Sequence, residues 1–122
     1  MATSAIFAFL GFPTHDDCHF YVVTDGYPTG AAWRFSSALR IGCLLAELPA
    51  CFVNTQLGSI TQAASDEAAN ADYRYKVVFQ SLSRPLVYVT AWRRLPWGDQ
   101  WIPRCESMPL NAFVKRFLPE PD

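Results

Sequence analysis

The chain predicts an α+β domain: an antiparallel sheet of about four to five strands, one long amphipathic helix packed on a face, and a short C-terminal helix. Three observations carry this. Residues 73–80, "YRYKVVFQ", alternate Tyr73, Tyr75, Val77 and Phe79 with Arg74, Lys76, Val78 and Gln80, the period of a half-buried strand. Residues 31–48 repeat apolar side chains at Ala31, Phe35, Ala38, Leu39 and Leu45, close to helical spacing. The order of the segments, β β α (α) β β β α, then favours strands paired in hairpins with helices on one side.

In chain order, "SAIFAFLGF" reads as a first strand and "CHFYVVTD" as a second, joined by the polar turn from Pro13 to Asp17. Asp25-Gly26-Tyr27-Pro28 is turn chemistry, with Gly26 expected to supply a positive φ and Pro28 refusing a ladder hydrogen bond. Thr29 or Gly30 is expected to cap a helix that begins at Ala31, carries Arg34, Ser37 and Arg40 on its polar positions, and is limited by Pro49. "ACFVNT" is a second short helix or a connection, and residues 54–72 are a surface loop with room for a short strand near Ser59 to Gln62. The turn "SLSRP" joins the 73–80 strand to "LVYVTAWRR" in a hairpin, with Val87, Val89 and Ala91 on one face and Leu86, Tyr88, Thr90 and Trp92 on the other. "QWIPRCES" is an edge strand, since Pro103 cannot donate to a central ladder. "MPLNAFVKRFL" closes the chain as a helix that Pro119 ends.

At 122 residues, with 51% hydrophobic residues, the sequence reads as a single globular domain over 1–122 that can bury a core without disulfide or metal staples. The N-terminal run "AIFAFLGF" is too short to span a bilayer and lacks the basic flank of a signal peptide, so the expected location is the cytoplasm of a host bacterial cell, with no membrane partner. In that compartment Cys18, Cys43, Cys51 and Cys105 are expected to be free thiols. Charge is segregated. Residues 1–72 hold two basic and seven acidic side chains, a net −5, whereas 73–118 hold eight basic and two acidic, a net +6. Either the halves neutralise each other or a basic surface is kept for an anionic partner.

No catalytic or metal signature is complete, so the reading is a non-enzymatic protein without a cofactor. "HDDCH" at 15–19 gathers possible ligands, but a structural zinc needs four and no second cluster completes the set. Cys18 as a nucleophile would need a base, and adjacent His19 points the other way along a strand. "DGYPTG" lacks the lysine and glycine spacing of phosphate loops. Trp97 and Trp101 beside Arg93 and Arg94 have the composition of an interface or a single-strand groove, with Trp92 read as structural. The candidate partner-binding residues are therefore Tyr27, Arg93, Arg94, Trp97 and Trp101, with Asp16, Asp17 and Asp25 as an acidic alternative able to imitate phosphates.

The segments "MATSAIFAF", "FYVVTDGYPTGAAWRFSSAL" and "ADYRYKV" resemble a family of small proteins encoded by bacteriophages, prophages and other mobile elements. The specific part of the resemblance is the Asp-Gly-Tyr-Pro-x-Gly-Ala-Ala run, matched by Tyr21, Asp25, Gly26, Tyr27, Pro28, Gly30, Ala31 and Ala32, followed by Tyr73 and Tyr75. Ser4 stands where that family usually has a basic residue, and Val23-Thr24 where histidines are common. The resemblance implies no enzyme activity. It implies the habit of such proteins, which is to bind and inhibit a host macromolecular machine, for instance as an anti-CRISPR on a CRISPR effector complex. The partner is then a host protein or ribonucleoprotein. The alternatives are a small metal-dependent or Cys/His enzyme, or a direct nucleic-acid binder using the basic C-terminal half.

Overall fold

A computed structural model of the chain describes residues 3–55, 60–63, 71–80, 86–95 and 100–118. The fold is α+β. Strands β1 (Ala5–Leu10), β2 (Cys18–Val22), β3 (Ile60–Ala63), β4 (Tyr73–Phe79), β5 (Val87–Arg94) and β6 (Trp101–Pro109) form one sheet in the order β3-β2-β1-β4-β5-β6. Helices α1 (Pro28–Arg40), α2 (Leu48–Thr55) and α3 (Leu110–Phe117), with a 3-10 turn between the first two, complete the described elements. The alternation read at 73–80 and 87–92 is realised: Tyr75, Val77, Phe79, Val87, Val89 and Ala91 are core, and the two strands pair antiparallel. The strand carrying Pro103 is indeed at an edge.

The sheet differs from the expected one in two respects. Among the described residues it has six strands, and it is mixed, because β1 and β4 run parallel from Ala5↔Tyr73 to Leu10↔Val78. The physical reason lies between residues 22 and 73. A parallel neighbour needs a long crossover, and here the two helices and β3 supply it.

One long helix is also not what forms. Helix α1 stops at Arg40 because Gly42 adopts φ 80°, the left-handed conformation that ends a helix, and its amide donates back to the Leu39 carbonyl at 3.3 Å. A single 3-10 turn, Leu45–Glu47, follows, and Pro49 sits in the first turn of α2, where its missing N–H costs nothing. The same logic starts α1 at Pro28, earlier than expected, with Tyr27 as a cap residue that makes no side-chain cap bond. On α1, Arg34 shares the stripe of Ala31, Phe35 and Ala38 and is buried, at 3% exposure. Its place is thus not the polar side read for it.

The helix-side core is built of rings. Phe52 of α2 stands 4.9 Å from Phe7, 5.1 Å from Phe9 and 5.8 Å from Phe35, and Tyr75 stacks on Phe7 at 4.8 Å. Phe113 of α3 meets Phe35 and Tyr75 edge-on. Such edge and offset contacts hold rings in fixed orientations beyond the area they bury.

Cys43 and Cys51 form a disulfide, their Cα atoms 6.2 Å apart, which corrects the reading of four free thiols. The break in the helix at Gly42 turns the chain back, so that the start of α2 approaches the end of α1. Closing an eight-residue separation stabilises the fold by about 2–3 kcal/mol through the unfolded chain. Denatured protein kept from reductant is expected to titrate two thiols, Cys18 and Cys105, and four once reduced. Four before reduction would contradict the pairing.

Candidate functional site

The sheet has one face under the helices and one turned away from them. Register places three rows on the latter. One runs Tyr21, Ile6, Arg74, Trp92, Pro103, the next His19, Ala8, Lys76, Thr90, and the third Leu10, Val78, Tyr88, Pro109. Arg74 and Lys76 are exposed, and Tyr21, His19, Tyr88, Thr90 and Trp92 are half-buried. No carboxylate occupies any of these paired positions. Arg74 therefore stands between Ile6 and Trp92, and Lys76 between Ala8 and Thr90, about 5 Å away on the adjacent strands.

Internal neutralisation accounts for little of the charge asymmetry among the described residues. The ion pair found there joins Arg94 to Asp72 at 3.8 Å. Asp72 is a structural hub: its Oδ2 accepts from the Ser4 amide at 3.0 Å and the Ser4 hydroxyl at 3.2 Å, and its carbonyl accepts from the Arg94 amide at 2.9 Å. The Arg94 Nε donates to the Ala71 carbonyl at 2.9 Å. These bonds tie the starts of β1 and β4 to the end of β5, and Ser4 is buried to make them.

The predicted contact residues fall in several places. Arg94 is committed to that internal hub, which removes it as a free anchor. Arg93 is exposed but lies on the opposite face from Trp92, at the register position of Tyr73. Trp101 is half-buried and packs against Ile6 and Ala71, so the exposure expected for it is not what the fold gives. Trp97 lies outside the described residues. Trp92, read as structural, belongs instead to the accessible basic rows. Asp16 is exposed on the β1–β2 turn, and Asp17 there accepts from the Gly11 amide at 2.9 Å, closing the turn. His15 engages the neighbouring Asp16 carbonyl, 2.9 Å from its Nδ1. Among the described residues no three His, Cys, Asp or Glu side chains gather as a metal shell. The Cys18 thiol is buried and pushed up to about 11, by desolvation first and the Asp17 charge second, so little of it is nucleophilic thiolate near neutral pH.

The "DGYPTG" corner is a packing device. Gly26 does not take the positive φ expected of it; Asp25 does, at 56°. Gly26 is required for space, because a Cβ there would stand 2.6 Å from the Ser4 carbonyl carbon and 2.8 Å from the Ala5 Cβ. Its amide donates to the Thr3 carbonyl at 2.9 Å, and its carbonyl accepts the buried Tyr75 hydroxyl at 2.7 Å. Burial pushes the Tyr75 phenol far up, which keeps it a donor. A Cβ on Gly30 would land on the Asp25 carbonyl oxygen, and Ala31 and Ala32 are fully buried.

Three residues of the run are left facing solvent, Asp25, Tyr27 and Thr29, and the Tyr27 hydroxyl donates to the Asp25 carboxylate at 3.1 Å. Trp33 joins them, 54% exposed, and sequence reasoning passed it over. The available signal was its spacing, four and seven residues before Ser37 and Arg40 on the polar side of α1. Behind them the Arg34 Nη2 donates to the Thr24 carbonyl at 3.1 Å. Burial pulls the Arg34 pKa down and the Asp25 charge acts against that.

No family model, curated protein or solved structure matches the chain. No single helix among the described residues is long and apolar enough to cross a membrane.

Proposed function

We propose that this chain is a non-enzymatic binding protein of phage or mobile-element type that occupies a host ribonucleoprotein, such as a CRISPR effector complex, and inhibits it. Its helix-free sheet face lies on a single-stranded segment of the nucleic acid which that machine carries. The observation that supports this mode most is the set of rows centred on Arg74 and Lys76, with Tyr21, Tyr88 and Trp92 beside them and no carboxylate at a paired position. Unpaired bases offer ring faces that stack on aromatic side chains standing on a sheet, and phosphates meet the cations between them. The resemblance of the Asp25-to-Ala32 run to phage-encoded proteins supports the setting.

The test is a fluorescence-anisotropy titration of labelled single-stranded RNA of mixed sequence. Binding is expected at low salt. Neutralising about two to three phosphates should make log K fall against log[salt] with a slope of about −1.5 to −2. Saturable binding that does not change with salt would count against the phosphate contacts.

A further inference from the structure

We infer that the cavity between the β2–α1 corner and α3 takes the guanidinium of an arginine side chain presented by a protein partner. The cavity measures about 230 Å³ and is lined by Asp25, Tyr27, Thr29, Gly30, Trp33 and Leu118. It is smaller than the roughly 300 Å³ at which pockets for free ligands begin, and so suits one side chain. It lies on the helix layer, across the sheet from Arg74 and Lys76, and stands independently of the nucleic-acid reading.

Three features select the occupant. Trp33 and Tyr27 are 54% and 42% exposed, unusual for large rings, and both border the same cavity. The faces of such rings attract cations, tryptophan most strongly. The Asp25 carboxylate is set at the rim by a backbone in the left-handed region and oriented by the Tyr27 hydroxyl on Oδ1. A planar guanidinium can stack on a ring and still present in-plane donors to a carboxylate, which a compact ammonium cannot do. The segment that carries this corner is the net-acidic one, residues 1–72. Arg34, behind Asp25, shares its field, so the rings rather than the carboxylate supply the larger part of the recognition. Gly26, Pro28, Gly30, Ala31 and Ala32 of the run are buried and accounted for by packing; the exposure of Asp25, Tyr27 and Trp33 is accounted for by this contact.

The experiment titrates N-acetyl-arginine amide into the full chain and follows the Trp33 indole N–H by proton–nitrogen correlation NMR, assigned with Trp33→Phe. A saturable shift is expected, with the neutral citrulline analogue binding at least about fivefold more weakly. Trp33→Ala should weaken arginine at least about fivefold, and Asp25→Asn about threefold, as for an exposed ion pair. Trp33→Phe, which keeps a ring at the exposed position, should retain most of the affinity as read from the Tyr27 amide. Each variant is compared at a melting temperature matched to the parent. Equal binding of citrulline, absence of a saturable shift up to tens of millimolar arginine, or unchanged affinity in Trp33→Ala would each overturn the assignment.

Discussion

Phe52→Ala is expected to lower the free energy of unfolding by about 3–5 kcal/mol, a large share of the roughly 5–15 kcal/mol that holds a domain of this kind together. Phe52 is fully buried and is the ring through which α2 reaches β1, β2 and α1 at once, with Phe7, Phe9, Phe20 and Phe35 around it. Truncation removes the transfer energy of the ring and leaves a hole that fixed neighbours cannot fill, since Phe7 is already stacked on Tyr75. Urea denaturation with an unchanged m-value measures the loss. A change below about 1 kcal/mol would mean that α2 is not docked on the sheet as described.

Gly30→Ala carries the second large effect, and its sign is the informative part. On helix propensity alone, alanine in place of glycine stabilises a helix by about 1 kcal/mol. Here the new Cβ would clash with the Asp25 carbonyl oxygen, a backbone atom rather than the end of a flexible side chain. The expected outcome is a loss of at least about 2 kcal/mol. Thr29→Ala, one residue earlier and exposed, should change stability by no more than about 0.5 kcal/mol. Thermal melts of the two variants side by side check the contrast, and a stabilised Gly30→Ala would show that α1 does not start against Asp25.

The class of fold was legible because the strands alternate cleanly over 75–79 and 87–91 and their alternate residues do enter the core. The parallel pairing of β1 with β4 was not, since strand order depends on where the crossover lands, and no local pattern encodes that. The helix was read through Gly42 because the apolar spacing continues beyond it to Leu45, whereas the backbone conformation at one glycine decides the break. The disulfide became visible only once that break brought Cys43 to Cys51. The site was legible in its chemistry, basic residues among aromatics in the C-terminal half, and illegible in its membership. Arg94 and Trp101 turn inward to Asp72, Ala71 and Ile6, while Trp92 and the pair Arg74 and Lys76 stay on the accessible face. Alternation places a residue on a face. Which face the helices cover, and which cation finds an internal carboxylate, are tertiary facts.

The central claim is that the helix-free face, through Arg74 and Lys76, holds single-stranded nucleic acid. The most direct measurement is the anisotropy titration repeated with Arg74→Glu/Lys76→Glu. Both side chains are exposed and paired across the sheet with Ile6 and Trp92, or Ala8 and Thr90, so reversing them should leave the melting temperature nearly unchanged. The account predicts that the double variant binds single-stranded RNA at least about a hundredfold more weakly than the parent at low salt. Binding by the folded double variant within about twofold of the parent, or no binding by the parent itself, would contradict it.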